Sequence, residues 1–303
     1  MSIDLVWPFL LTGLATGGLY VLLGCGTVLA YRASNYLHIA HAGVAMVCAF
    51  TYVVLVRSMP VVPAAALSVA GGSLLTWVLY RSVFARLERS GMPSKVVVSV
   101  ATGIGLQAVG GLILVNFGLL DGSRQSMSLF PESFRVTIFG ASLSGQQAAL
   151  PIVAVAVMAA MQWSLHHTDI GLALRAAAQN PTSAELAGLP AARVTSTAWL
   201  LIGALAGLAG VLAVSSASFL VPTFLFAETI RALAASLAGG FVDLRRMTVA
   251  ALALGVVESE LVGFSPPWNE MRGAASFALI TAVAIFGLGR QLADGERAEA
   301  RAA

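Results

Sequence analysis

The chain is written in long apolar runs separated by short polar ones. The runs lie near 5–31, 36–57, 61–80, 95–118, 147–165, 194–218, 247–264 and 272–289. Each is close to or above the ~20 residues an α-helix needs to cross the hydrocarbon core of a bilayer. A ninth apolar piece, 227–242, is too brief to cross comfortably, so it either thins the bilayer or is partly re-entrant. The pattern predicts an all-α polytopic membrane protein with about eight full transmembrane helices plus one short or re-entrant segment, forming a single domain over 1–303.

Composition strengthens this reading. Of 303 residues, 58% are hydrophobic and 10% charged, where a soluble domain carries about 25% charge. The 30 glycines fit closely packed membrane helices, in which small residues let backbones approach. Cys25 and Cys48 both sit inside apolar runs, without the number or spacing of a disulfide framework or zinc site, and are assigned to packing. No basic segment precedes the first run, which exceeds the apolar core of a signal peptide. It is therefore expected to stay as a span. The net charge of +3 resides in short loops rather than a basic face, as the positive-inside rule produces, so nucleic acid is not expected as a partner.

Orientation follows from Arg81, Arg86, Arg89 and Lys95, which cluster between the third and fourth runs and belong in the cytoplasm. Counting from there places the N-terminus and 119–146 outside and 166–193 inside. Arg245, Arg246 and the tail 291–303 fall inside if 227–242 crosses, and the same rule favours crossing. The outer loop holds Asp121, Arg124, Glu132 and Arg135, then a Val136–Phe139 stretch of strand character closed by Gly140. It reads either as a solvated connector or as a docking surface for an extracytoplasmic partner. The tail is expected to be flexible.

The cytoplasmic loop 166–193 is the most patterned polar segment. Gly171 to Gln179 is rich in Ala and Leu and predicts a helix, which Asn180-Pro181 breaks. Thr182 and Glu185 have capping-box spacing for a second short helix, and Gly188 with Pro190 supplies its stop. Two short helices at a bend suit either an amphipathic surface loop or an element that sits in another protein's groove.

Three segments in order resemble the permease family of the branched-chain amino-acid type ABC importers. They are Gly13-Leu-Ala-Thr-Gly17-Gly-Leu-Tyr20 with Tyr31-Arg-Ala-Ser-Asn-Tyr-Leu-His38-Ile-Ala-His41-Ala-Gly43; Gly171-Leu-Ala-Leu-Arg175-Ala-Ala-Ala-Gln179-Asn with Ala184-Glu185-Leu-Ala-Gly188; and Ala206-Gly-Leu-Ala-Gly-Val-Leu212 with Ile230-Arg231-Ala-Leu-Ala-Ala-Ser-Leu-Ala-Gly-Gly240. The resemblance implies that Gly171, Arg175, Gln179, Thr182, Glu185 and Gly188 belong to a coupling helix docked on an ATPase. It also implies a homologous second permease subunit, two ATPase subunits carrying ATP and Mg, an extracytoplasmic solute-binding protein and a place in the bacterial inner membrane. His38 stands where the family has Asn, Ala42 where it has Gly, and Phe241-Val-Asp-Leu-Arg-Arg246 replaces its Gly-Ser continuation. These departures leave urea, amides and aromatic acids open beside branched-chain amino acids. The chain has no Gly-x-x-x-x-Gly-Lys-[Ser/Thr] loop of its own to hold ATP, so the motor is expected on a separate polypeptide.

Ionisable or amide side chains inside apolar runs are costly and mark candidate sites. His38 and His41, at i and i+3, could contact solute, bind metal or satisfy nearby carbonyls, and metal is the least favoured of these. Glu228 and Arg231 share the same spacing and could pair with each other; Gln107 and Asn116 suit hydrogen bonds between helices. All six are substrate-pathway candidates. Glu258 and Glu260 are expected to snorkel or to meet another subunit. No His-Glu-x-x-His helix or Gly-x-Ser-x-Gly elbow is present, so no enzyme activity, cofactor or metal is assigned to the chain. The competing reading is a stand-alone ion-coupled secondary transporter that uses His38, His41, Glu228 or Glu258 as ion sites.

Overall fold

The computed structural model describes residues 3–34, 37–87, 90–118, 128–131, 133–138, 140–179, 181–216, 223–263 and 273–282. The helices are α1 (Ile3–Ser34), α2 (His41–Leu55), α3 (Val61–Ser82), α4 (Met92–Asn116), α5 (Gly145–His167), α6 (Asp169–Gln179), α7 (Pro181–Leu186), α8 (Ala191–Ser216), α9 (Phe224–Ala238), α10 (Leu244–Gly263) and α11 (Gly273–Ala282). Of the Val136–Phe139 stretch, residues 136–138 lie in a hairpin, Phe139 being outside the described residues: β1 (Arg135–Ile138) pairs antiparallel with β2 (Ala141–Ser144), Ile138 opposite Ala141, and Gly140 takes φ +80°. Most of 119–132, the tail 291–303 and Arg89 lie outside the described residues.

Five described helices are long and apolar enough to cross a bilayer, at Trp7–Ser34, Val61–Leu87, Met92–Asn116, Gly145–His167 and Ala192–Ser216. The expected second span is shorter than 36–57 because residues 37–40 are not helical; the Ala40 N–H goes to Ser99 Oγ at 3.1 Å instead. α2 and α9 have 15 residues each, about 22 Å of helix against a core of about 30 Å. α2 is nonetheless interior, packed against α3, α4, α8 and α9. An apolar run buried on all sides by protein looks the same in sequence as one that spans lipid.

α1 is the axis of the bundle and contacts α10, α5, α8 and α9. Its antiparallel seam with α10 is backbone on backbone. A Cβ at Gly255 would lie 2.4 Å from Gly17 N, and one at Gly17 would lie 2.8 Å from Leu252 Cα. Large apolar side chains such as Val62, Leu67, Val97, Leu112, Ile152 and Phe277 point outward and are exposed. That apolar outer shell suits lipid as solvent.

The ends of the bundle sort cleanly. Trp199 Nε1 donates to Ser34 Oγ at 3.2 Å, which puts the end of α1 beside the early turns of α8. Arg32 donates to the Val242 carbonyl, so the α9–α10 turn is at that same end, with α6 and α7. Ser216 closes α8 at the opposite end, and α9 packs against α1, α2 and α10.

Gly255→Ala is expected to force α1 and α10 apart and lower the thermal midpoint of the purified protein, since overpacking a tight contact costs about 1–3 kcal/mol. Gly105→Ala on α4, which meets nothing within 4 Å, should leave the midpoint unchanged or raise it slightly. Equal midpoints for the two variants would contradict the close seam.

Candidate functional site

The α6–α7 element is built by local backbone chemistry. Thr168 Oγ1 accepts the Gly171 N–H at 3.2 Å and starts α6. Gly171 lets α6 fold back on α5, because a Cβ there would stand 2.4 Å from the Ser164 carbonyl oxygen and 2.6 Å from Leu165 Cα. Leu174, Ala177 and Ala184 are buried toward the bundle, and Arg175 Nε reaches the Gly171 carbonyl at 3.4 Å.

α7 starts at Pro181, so Thr182 lies inside the helix and is not its N-cap. The reason is that proline's fixed φ suits the first helical position, which moves the start ahead of the capping-box pattern. The side chains of Gln179 and Thr182, and Asn180 altogether, lie outside the described residues. The stop is as the sequence implies. Gly188 takes φ +82°, its N–H goes to Glu185 O at 2.9 Å, and the Leu189 N–H goes to Ala184 O at 2.9 Å, the paired bonds of a Schellman cap. What this cap presents is apolar: Leu186 is 86% exposed, beside an exposed Glu185, and Ile170 and Leu172 on α6 are also exposed.

His38 and His41 are fully buried at the same end of α2. Their rings stand 6.4 Å apart, and His38 meets Trp199 and Phe84 edge-on at 4.6 and 5.2 Å. Trp199 stacks in turn on Tyr80 and Phe84. His41 fits against α1 only because residue 26 is glycine: a Cβ there would lie 2.2 Å from the imidazole. Neither ring nitrogen of His41 meets a hydrogen-bond partner among the described residues, a state that costs about 1–3 kcal/mol for a buried polar group. Among the described residues, no three His, Cys, Asp or Glu side chains gather as a metal site.

A second polar centre lies toward the opposite end. Tyr20 is 14 residues before Ser34 and Glu258 is 14 residues after Leu244, so both stand about 21 Å from the α6–α7 end at 1.5 Å per residue. Tyr20 Oη donates to Glu258 Oε2 at 2.6 Å; Ser276 Oγ and Arg231 Nε donate to Oε1 at 2.8 and 3.0 Å. Arg231 also pairs with Glu228 at 3.1 Å. Glu258 is 0% exposed, which corrects the expectation that it snorkels or faces another subunit. Three donors from α1, α9 and α11 satisfy a carboxylate that could not otherwise be held there.

The six pathway candidates therefore do not form one site. Glu228 and Arg231 belong to the ionic network, and the two histidines to the aromatic cluster. Gln107 is half-buried and Asn116 exposed on α4, and no hydrogen bond among the described residues ties either to another helix. Tyr20, Ser276 and Trp199 are not among the sequence candidates, because ionisable and amide side chains mark a site inside an apolar run more plainly than a hydroxyl or an indole does. Tyr20 stood in a quoted motif, and its hydroxyl inside a membrane run was the available signal.

The family described as the permease component of branched-chain amino acid transport systems matches residues 9–284. The high-affinity branched-chain amino acid transport system permease protein LivH of Salmonella typhimurium is 25% identical over 287 residues, covering 89% of this chain and 90% of LivH, and the protein of that name from Escherichia coli K12 matches to the same extent. A probable branched-chain amino acid transport permease protein LivH of Methanocaldococcus jannaschii is 25% identical over 244 residues, 80% of this chain and 76% of its own. In fold, the chain is similar to PsaBC from Streptococcus pneumoniae in complex with Fab, at a TM-score of 0.51 and 15% identity over 92% of this chain and 89% of that one.

The ionic network makes a double-mutant prediction. Arg231→Met strands Glu258 and should destabilise the purified protein by about 3–5 kcal/mol, the usual loss when one partner of a buried pair is removed. Adding Glu258→Gln should recover part of that loss, because the amide is neutral and its oxygen still accepts from Tyr20. Strictly additive losses in thermal unfolding would show that the two groups do not interact.

Proposed function

This chain belongs to the family of permease components of branched-chain amino acid transport systems, and on that premise we propose that it is the membrane-spanning subunit of an ATP-driven importer for branched-chain or related amino acids. An extracytoplasmic binding protein delivers the solute. A second, homologous permease completes the pathway, and two separate ATPase subunits dock on residues 169–190 to drive it.

The observation that carries this reading is Leu186. A leucine 86% exposed on a six-residue helix, outside the spans and fixed by the Gly188 cap, is an apolar knob that none of the described residues covers. Such a knob in a polar setting fits a groove on a soluble partner. Gly171 ties α6 rigidly to the last turn of α5, so a force on α7 moves a span rather than a slack loop. A contact that differs between motor states can then shift the balance between outward- and inward-facing forms.

The same reading sorts the pathway candidates. Glu228 and Arg231 belong to the ionic network around Glu258 and serve the frame. His41, deep in the bundle with neither ring nitrogen bonded among the described residues, is a group with hydrogen bonds left to offer a passing carboxylate or ammonium.

Leu186→Asp should reduce co-purification of the ATPase subunits at least about tenfold, as loss of a central apolar contact implies, while the thermal midpoint of the permease stays put. Gly188→Val should weaken docking by distorting the cap, since αL costs a β-branched residue about 1–2 kcal/mol. Full ATPase recovery with Leu186→Asp would remove the docking assignment.

A further inference from the structure

The α6–α7 end also carries a concave feature. A crevice of about 870 Å³ opens between the ends of α1 and α5 and the α9–α10 turn, lined by Arg32, Met158, Gln162, Trp163, His166 and Arg245 among others. We propose that this crevice binds an anionic phospholipid of the adjoining leaflet, its phosphate between Arg32 and Arg245 and its acyl chain along Met158 and Ala159.

Charge is the first argument. The one carboxylate in the lining, Asp243, is already committed: Oδ1 accepts the N–H groups of Arg245 and Arg246 at 2.9 and 3.1 Å as the cap of α10, and Oδ2 pairs with the Arg246 side chain at 3.2 Å. Neither the Arg32 nor the Arg245 guanidinium is in an ion pair among the described residues. Arg32 gives one N–H to the Val242 carbonyl, while its Nε is buried without a partner. Gln162 Oε1, in the same lining, is also buried and unpaired. A donor and an acceptor left over in one lining match a headgroup that carries a hydroxyl as well as its phosphate, because the phosphate accepts from Arg32 and the hydroxyl donates to Gln162.

Polarity along α5 is the second. Met158, Ala159, Gln162, Trp163 and His166 follow one helix face at spacings of 3 and 4. They run from apolar through an exposed indole to histidine in the direction of the helix end, the order of acyl chain, interface and headgroup in a leaflet. Depth is the third. Met158 lies nine residues before His167, about 13 Å up the span at 1.5 Å per residue. A soluble subunit docked on α7 cannot follow the crevice to that height, whereas an acyl chain can.

The test uses the full chain assembled with its partner subunits in nanodiscs and reads bound lipid by native mass spectrometry after release, together with the thermal midpoint. Phosphatidylglycerol should be retained and should raise the midpoint, while phosphatidylcholine and inorganic phosphate do neither. Arg245→Gln, at an exposed side chain whose residue bonds its own cap only through the backbone, should leave the midpoint without added lipid unchanged and weaken phosphatidylglycerol retention about tenfold, as removal of one charge-assisted contact implies. Arg32→Gln should weaken it further. An equal effect of phosphatidylcholine, an equal effect of inorganic phosphate, undiminished retention in Arg245→Gln, or a crevice filled by the second permease with no lipid bound would each overturn the proposal.

Discussion

A charged carboxylate at the heart of an apolar bundle is tolerated only if donors converge on it, and Glu258 imposes that condition on much of this structure. Its three donors come from three other helices, Tyr20 of α1, Arg231 of α9 and Ser276 of α11. Tyr20 reaches it because Gly17 and Gly255 let α1 and α10 meet backbone to backbone. Arg231 reaches it because α9 packs against both α1 and α10. The 15-residue α9, too short to look like a span, is thereby held in place by charge as well as by packing.

The two ends of the bundle are built on different principles. Toward the Glu258 end the helices are locked by ion pairs and close contact. At the α6–α7 end the chain offers unfinished surfaces, an exposed leucine on a capped short helix and a basic crevice. Such a division suits a subunit whose frame must stay rigid while one end is driven by contacts made elsewhere. Gly171 joins the two regimes, since it lets α6 pack directly against the end of α5.

Much of this was legible in the sequence for identifiable reasons. Length and hydropathy located α1, α3, α4, α5 and α8 because those helices must satisfy lipid along most of their length. The stop at Gly188 was legible because a left-handed residue there demands glycine. The ends of α2, α9 and α10 were not. α10 begins at Leu244, capped by Asp243, although Arg245 and Arg246 look like the polar end of a loop. α9 ends at Ala238 because Gly240 turns left-handed and bonds back to Leu237, so the apolar run outlasts the helix. The network at Glu258 was invisible for a deeper reason. Its members are 238 residues apart in the case of Tyr20 and Glu258, and no local pattern links them.

On the proposed reading, this chain is half of a machine whose energy comes from another protein. Uptake of labelled leucine into proteoliposomes tests it most directly. With the second permease, the ATPase subunits and the binding protein present, uptake should require ATP on the ATPase side and vanish when this chain is left out. The chain reconstituted by itself should take up nothing under a proton or sodium gradient. Ion-driven uptake by the single chain would contradict the account.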